Sequence, residues 1–241
     1  MQLDARQRLF IVLTAVFVTC FVVGDIIGAK LIETALLGAT FTTTVGMIPF
    51  PVTFLLTDVL NEFYGRRAAR FVTLVGFGMA VLAFTFIYVA GAIPIAPMTK
   101  DPSWTGVTES SFANVFLGSQ RMLVASLLAY LVAQFVDIGT FHLLKRATKN
   151  RLLWLRASGS TAVSQLIDTI VINAVAWTGM MSFEKIVGIV ISAYTLKLFI
   201  AFALTPLVYL CHALVQRVLG LEPVVLNAAG EVVTARATPG E

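Results

Sequence analysis

MLVASLLAYLVAQFVDIGTFHLLKR, residues Met122–Arg146, decides the fold class. It is a long apolar run with Gln134 and Asp137 in its interior. An amide and a carboxylate three residues apart lie on one face of a helix. The same pairing returns inside a second apolar run as Gln165-Leu-Ile-Asp168. An Asp at the centre of a membrane helix costs about 2.5–3.5 kcal/mol on insertion scales. A span that only anchors the chain has no use for that cost at two places. Both pairs therefore read as the lining of a polar cavity that holds a small molecule.

The rest of the chain agrees with a membrane setting. Of 241 residues, 58% are hydrophobic and 12% charged, against about 25% charged in a soluble domain. The charges cluster between apolar runs. Six spans are predicted, over residues 9–29, 42–62, 69–93, 119–143, 158–180 and 186–215. Each has at least about 20 residues, enough for a helix to cross roughly 30 Å of hydrocarbon. The expectation is an all-α integral membrane protein, with one six-helix transmembrane domain over 1–220 and a flexible polar tail over 221–241. The first span is too long for the apolar region of a signal peptide and has no clear small-residue cleavage site.

Arg6 and Arg8 precede span 1, and Arg66, Arg67 and Arg70 follow span 2. Lys145, Arg146, Lys149, Arg151 and Arg156 lie between spans 4 and 5, and Arg217 follows span 6. The opposite loops offer chiefly Lys100 and Lys185. By the positive-inside bias both termini are cytoplasmic, and the net charge of +4 reflects that bias rather than a nucleic-acid partner. Cys20 and Cys211 suit small apolar packing positions, and His142 and His212 interfacial ones. No Gly-rich phosphate loop, zinc-protease helix or nucleophile elbow appears, so no enzyme, metal or cofactor is expected.

Between the spans, residues 94–118 read either as a lid or folded cap, or as a connector anchored by Trp104. Val224–Val233, with Asn227 and Gly230, reads as a loose tail or a small hairpin, the loose form being expected. Spans 4 and 5 run in opposite directions, so their matching Gln–Asp pairs hint at an inverted repeat. Gly24 and Gly28 form a small-residue surface on span 1, with Asp25 and Lys30 near its outer end.

Span 2 carries Phe54, Asp58, Asn61 and Glu62 after Pro49 and Pro51, which interrupt regular helix and free carbonyls. Such groups persist at membrane depth only where protein or a watery cavity satisfies them. Asp58 is assigned to the site, and Glu62 to an interfacial pairing with Arg66 or Arg67. Span 5 adds Gln165, Asp168, Asn173 and Trp177, while Ser160 and Ser164 read as close-packing positions. In span 6, Lys197 reads as the counter-charge of Asp137 or Asp168, or as a substrate contact, and Tyr194 lies one turn before it.

At these residues the chain resembles the putative vitamin uptake transporter family, whose best-known members carry queuosine precursors. The resemblance rests on Pro49–Arg67, Arg121–Arg146, Trp154–Trp177 and Tyr194–Tyr209, in that order. It implies an inner-membrane importer of 7-cyano-7-deazaguanine or 7-aminomethyl-7-deazaguanine, with the fold of the substrate-binding component of energy-coupling-factor vitamin transporters. The substrate-binding set would be Asp58, Asn61, Gln134, Asp137, Gln165, Asp168, Asn173 and Lys197, with Phe54, Tyr194 or Trp177 for stacking. A carboxylate can accept both N–H bonds of a guanine-like edge while an amide donates to its carbonyl. A substrate-binding subunit of a multi-subunit transporter is the nearest alternative. An intramembrane enzyme or assembly factor using the carboxylates for acid–base chemistry is an alternative of another class. Membrane lipid and a second copy of the chain are the other partners open to it.

Overall fold

A computed structural model describes residues 3–28, 30–36, 38–101, 103–117, 120–227 and 232–233. Helices dominate: α1 (Ala5–Ile27), α2 (Phe50–Phe63), α3 (Gly65–Ala92), the single turn α4 (Glu109–Phe112), α5 (Gln120–Ala147), α6 (Leu153–Trp177), α7 (Phe183–Ala203) and α8 (Thr205–Leu219). Strands β1 (Leu31–Leu36) and β2 (Ala39–Thr44) form an antiparallel hairpin pairing Leu31 with Thr44 and Leu36 with Ala39. A second, minimal hairpin joins β3 (Val225–Leu226) to β4 (Val232–Val233).

Among the described residues, four helical stretches are long and apolar enough to cross a membrane: α1, α3, the stretch ending in α5, and α7. Their lipid-facing character shows in exposed Ile11, Val12, Phe71, Leu74, Phe86, Val124, Phe199 and Phe202. Polar and charged groups such as Asp58, Asn61, Glu62, Asp137, Lys145 and Arg156 are buried instead. The chain is thus a multi-pass helical membrane protein, apolar outside and polar within. α6 has the length of a span, 25 residues, but Arg156, Gln165, Asp168 and Asn173 make it too polar to rank with those four.

Two predicted spans need correction. Span 2 was expected to be helical from 42, but β2 extends to Thr44, a short 3-10 turn covers Val45–Met47, and helix begins only at Phe50. Thr40, Thr42, Thr43 and Thr44 are β-formers, and Pro51 is tolerated in a first helical turn. At 1.5 Å per residue the 14-residue α2 covers only about 21 Å. Span 6 was expected to run unbroken from 186 to 215. It divides at Leu204, because Pro206 has no N–H to continue the ladder and occupies the first turn of α8.

The small face of α1 is used within the chain. A Cβ on Gly46 would stand 2.8 Å from the Gly24 carbonyl oxygen, and one on Gly24 3.0 Å from Pro49. Gly24 and Gly28 therefore seat the turn that leads into α2. The main apolar core joins Leu13, Phe17, Val59, Leu60, Phe63, Val72, Tyr130 and Val215. Phe21 stacks on Tyr130 at 3.8 Å, and the Tyr130 hydroxyl donates to the Thr73 carbonyl.

The elements that the sequence places on one side meet at one end of the bundle. Arg6 donates to the Phe63 carbonyl, Tyr64 to the Arg6 carbonyl, and the Val224 amide to the Glu62 carbonyl. Asn150, in the α5–α6 turn, both donates to and accepts from the Leu226 backbone. Residues 224–226 are therefore fastened to the bundle, contrary to the loose tail expected; residues 234–241 lie outside the described residues. The α5–α6 turn holds Lys149, Asn150 and Leu152 at positive φ of 50°, 61° and 54°. Arg156 stabilises it by donating to the Asn150 and Arg151 carbonyls.

Candidate functional site

The polar interior is layered along the helices. The first layer belongs to Glu62, at the C-terminal end of α2. Its carboxylate meets Lys145 at 3.0 Å and Arg156 at 2.7 Å, with His212 at 3.7 Å. All three members of the central triad are almost fully buried. This overturns the expected interfacial pairing of Glu62 with Arg66 or Arg67. The reason is position: Lys145 on α5 and Arg156 on α6 project inward, where leaving Glu62 unpaired would cost several kcal/mol.

Asp58 stands four residues before Glu62, Asp137 eight before Lys145, and Asp168 twelve after Arg156. At 1.5 Å per residue these positions lie about 6, 12 and 18 Å from the ionic layer. The Asp137 Oδ1 accepts from the Ser160 and Ser164 hydroxyls at 2.9 and 3.2 Å. The two serines, read from sequence as packing positions, are thus ligands of a buried carboxylate. Asp58, 5% exposed, sits one helical turn from Glu62 on α2, and none of the described side chains hydrogen-bonds to its carboxylate.

Farther along, Lys197 meets Asp168 at 2.6 Å, with side chains 14% and 20% exposed. Of the two partners the sequence allowed, Asp168 is the one in contact. Lys197 also lies over the Phe50 ring at 5.4 Å, and Phe50 packs edge-on against Phe54. Phe50 has no sequence signal of its own beyond membership of an apolar block. Tyr194 spends its hydroxyl on the Ala162 carbonyl, and Asn173 donates to the Thr169 carbonyl of its own helix. Asp25 accepts from Ser126 at 2.7 Å.

Several buried amide atoms have no hydrogen-bond partner among the described residues: both Nδ2 and Oδ1 of Asn61, and Oε1 of Gln134 and of Gln165. Each such group costs about 1–3 kcal/mol if left unsatisfied. A cavity of about 10 Å³ lies between α2, α6 and the α7–α8 break, lined by Phe54, Asp58, Ser158, Thr161, Ala201 and Leu204 among others. That is room for about one water. Phe54 and Asp58 are the predicted residues that line it. Trp177, half-buried at the C-terminal end of α6, is not among them. Arg121 caps that end, donating to the Val175 and Thr178 carbonyls.

Helices with apolar exteriors around a buried seam of carboxylates, amides and cations define a membrane transporter rather than an anchor. A family model described as "Putative vitamin uptake transporter" matches residues 44–211, so the chain belongs to the putative vitamin uptake transporter family. It is a transporter and not an enzyme. It is 34% identical to the "Probable queuosine precursor transporter" of Bacillus subtilis (strain 168), over 70% of this chain and 71% of that protein. It is 29% identical to the "Queuosine precursor transporter" of Escherichia coli (strain K12), over 57% of this chain and 56% of that one. A "Probable queuosine precursor transporter" of Haemophilus influenzae is 25% identical, over 57% and 53%. The match thus spans just over half the length of the last two. No solved structure matches the chain.

Proposed function

We propose that this protein imports queuosine precursors, 7-deazaguanine bases bearing a 7-cyano or 7-aminomethyl group, across the inner membrane. The substrate is supported by the 34% identity to the Bacillus subtilis transporter. The site is supported by one observation above all: the buried amide oxygens of Gln134 and Gln165 and both amide atoms of Asn61, left without partners among the described residues of a transporter. Asp168 accepts the ring N–H and the exocyclic amine of the base. Lys197 pairs with that carboxylate, and Gln134, Gln165 and Asn173 complete the polar edge. Phe54, backed by Phe50, gives the stacking surface, with Tyr194 and Trp177 at the margins.

A bicyclic base is far larger than a cavity of about 10 Å³, so binding requires α2 and the α7–α8 break to move apart from α6. The bundle crosses the membrane six times, α7 with α8 making the last crossing and α2 with its preceding turn the second. Both termini face the cytoplasm, a reading supported by the bias of Arg and Lys toward the loops on that side. The family resemblance supports the fold of the substrate-binding component of energy-coupling-factor transporters for this arrangement. The deciding experiment is uptake of labelled 7-cyano-7-deazaguanine by cells unable to make it. Import with this chain and none without it supports the reading, and equal uptake in both overturns it.

A further inference from the structure

Five carboxylates are carried within the bundle, and their partners differ. Glu62 is bonded to Lys145 and Arg156, and Asp168 to Lys197. Asp25 takes the Ser126 hydroxyl, toward the end of the bundle away from the ionic layer. Asp58 and Asp137 remain, each at least nine-tenths buried and neither bonded to a cation. We propose that Asp58 and Asp137 form a proton site: one proton is held between them and crosses the membrane with each substrate molecule. The coupling to substrate rests on the import proposed above, whereas the proton site itself does not.

Three further observations point to a small guest there. Asn61, three residues after Asp58 and so on the same face of α2, is fully buried with neither amide atom bonded. The cavity against Asp58 has room for about one water, enough to pass a proton. Asp58 lies one turn and Asp137 about two turns inward from the Glu62–Lys145 contact that joins α2 to α5. Two buried like charges on adjoining helices cannot both stay ionised cheaply, so one shared proton lowers the repulsion.

The surroundings offer few ligands for a metal ion in this role. Apart from Asp58, Ser158 and Thr161 the cavity wall is apolar, and Ser158 is engaged with the Thr205 hydroxyl. A hard cation needs about six oxygens, and among the described residues no group of three or more acidic, His or Cys side chains is placed to hold one. The charged groups around the pair are Glu62 on α2, Lys145 on α5, Arg156 on α6 and His212 on α8. Glu62, Lys145 and Arg156 together carry one net positive charge, which offsets one of the two carboxylates and leaves the other to be neutralised by a proton. Lys197 on α7 is held by Asp168. The step is a simple balance: an O–H bond forms on one carboxylate with a proton from water on one side. It breaks on the other side, and the proton returns to water.

The test uses the purified full chain in liposomes, in sodium-free buffer, with the membrane potential clamped at zero. The probe is labelled 7-cyano-7-deazaguanine, which carries no charge of its own. With one proton per substrate, a gradient of about one pH unit accumulates the probe roughly tenfold, since tenfold corresponds to about 1.36 kcal/mol. Entry of the probe to equal concentrations inside and out, or accumulation driven by sodium and not by pH, overturns the coupling while leaving the substrate reading intact.

Infrared difference spectra recorded across a pH titration read the proton site without any substrate. The expected result is a protonated-carboxyl C=O band that disappears in Asp58→Asn and in Asp137→Asn and returns in Asp58→Glu. A band unchanged in both Asn variants, or no such band in the wild type, overturns the site. If the probe never enters, the substrate reading has failed and the infrared band alone decides the proton site.

Discussion

Replacing Lys197 with Met tests the outer pair most directly. The side chain keeps its length and loses its charge, leaving the Asp168 carboxylate without the partner now 2.6 Å away. Breaking a fully buried pair costs about 3–5 kcal/mol, and an exposed pair is worth about 0–1 kcal/mol. With side chains 14% and 20% exposed, this pair belongs nearer the buried limit, at about 2–3 kcal/mol. The contact over the Phe50 ring adds about 0.5–1 kcal/mol. For a chain of this size each kcal/mol moves the melting midpoint by about 2–4 °C, so Lys197→Met should melt roughly 5–16 °C lower in detergent. The double variant Lys197→Met with Asp168→Asn should regain most of that loss, because no unpaired charge remains, and should still fail to transport. Additive effects of the two substitutions on melting would refute the pairing as an energetic unit.

Asp168→Asn alone should leave the protein inserted and folded while weakening substrate binding about tenfold or more, the worth of a charge-assisted hydrogen bond; unaltered uptake kinetics would remove Asp168 from the site. Glu62→Gln should destabilise by about 3–5 kcal/mol, because Lys145 and Arg156 are left as buried, unneutralised cations, and normal yield and melting of that variant would contradict the inner layer. Asn150→Ala removes both hydrogen bonds to Leu226, so hydrogen exchange at the Val224 and Leu226 amides should accelerate at least tenfold, and unchanged protection would mean that residues 224–226 are held by other contacts. Cysteine labels introduced at Ser103 and Lys149 should react from opposite sides of the membrane, and reaction of both from one side would sink the six-span orientation.

Much of this was legible in the sequence because burying charge in lipid is costly. Asp137, Asp168 and Lys197 stood out in apolar runs, and each is turned toward another helix. The same logic failed where charges sat near predicted loops. Lys145 and Arg156 were counted as orientation signals, yet they are the buried partners of Glu62. A Lys/Arg count along the chain is blind to which side of a helix each residue takes. Ser160 and Ser164 were misread for a related reason: small residues four apart serve close packing and hydrogen bonding equally well. The tail hairpin was underestimated because its anchors, Asn150 and the Glu62 carbonyl, are distant in sequence.

The two corrected spans share a physical cause, and it bears on function. Irregular backbone at membrane depth survives only where protein or a cavity satisfies it. α2 begins late, after a hairpin and a turn, and α7 gives way to α8 at Leu204. The α7–α8 break borders a cavity that α2 also lines: Ala201 and Leu204 come from the break, Phe54 and Asp58 from α2, and Ser158 and Thr161 from the unbroken α6 between them. Uninterrupted helices would be easier to insert. An interrupted helix, in contrast, can pivot at its break without losing hydrogen bonds already absent. The cavity next to Asp58 therefore lies beside the α7–α8 break, the place where the proposed opening of the bundle would admit a transported molecule.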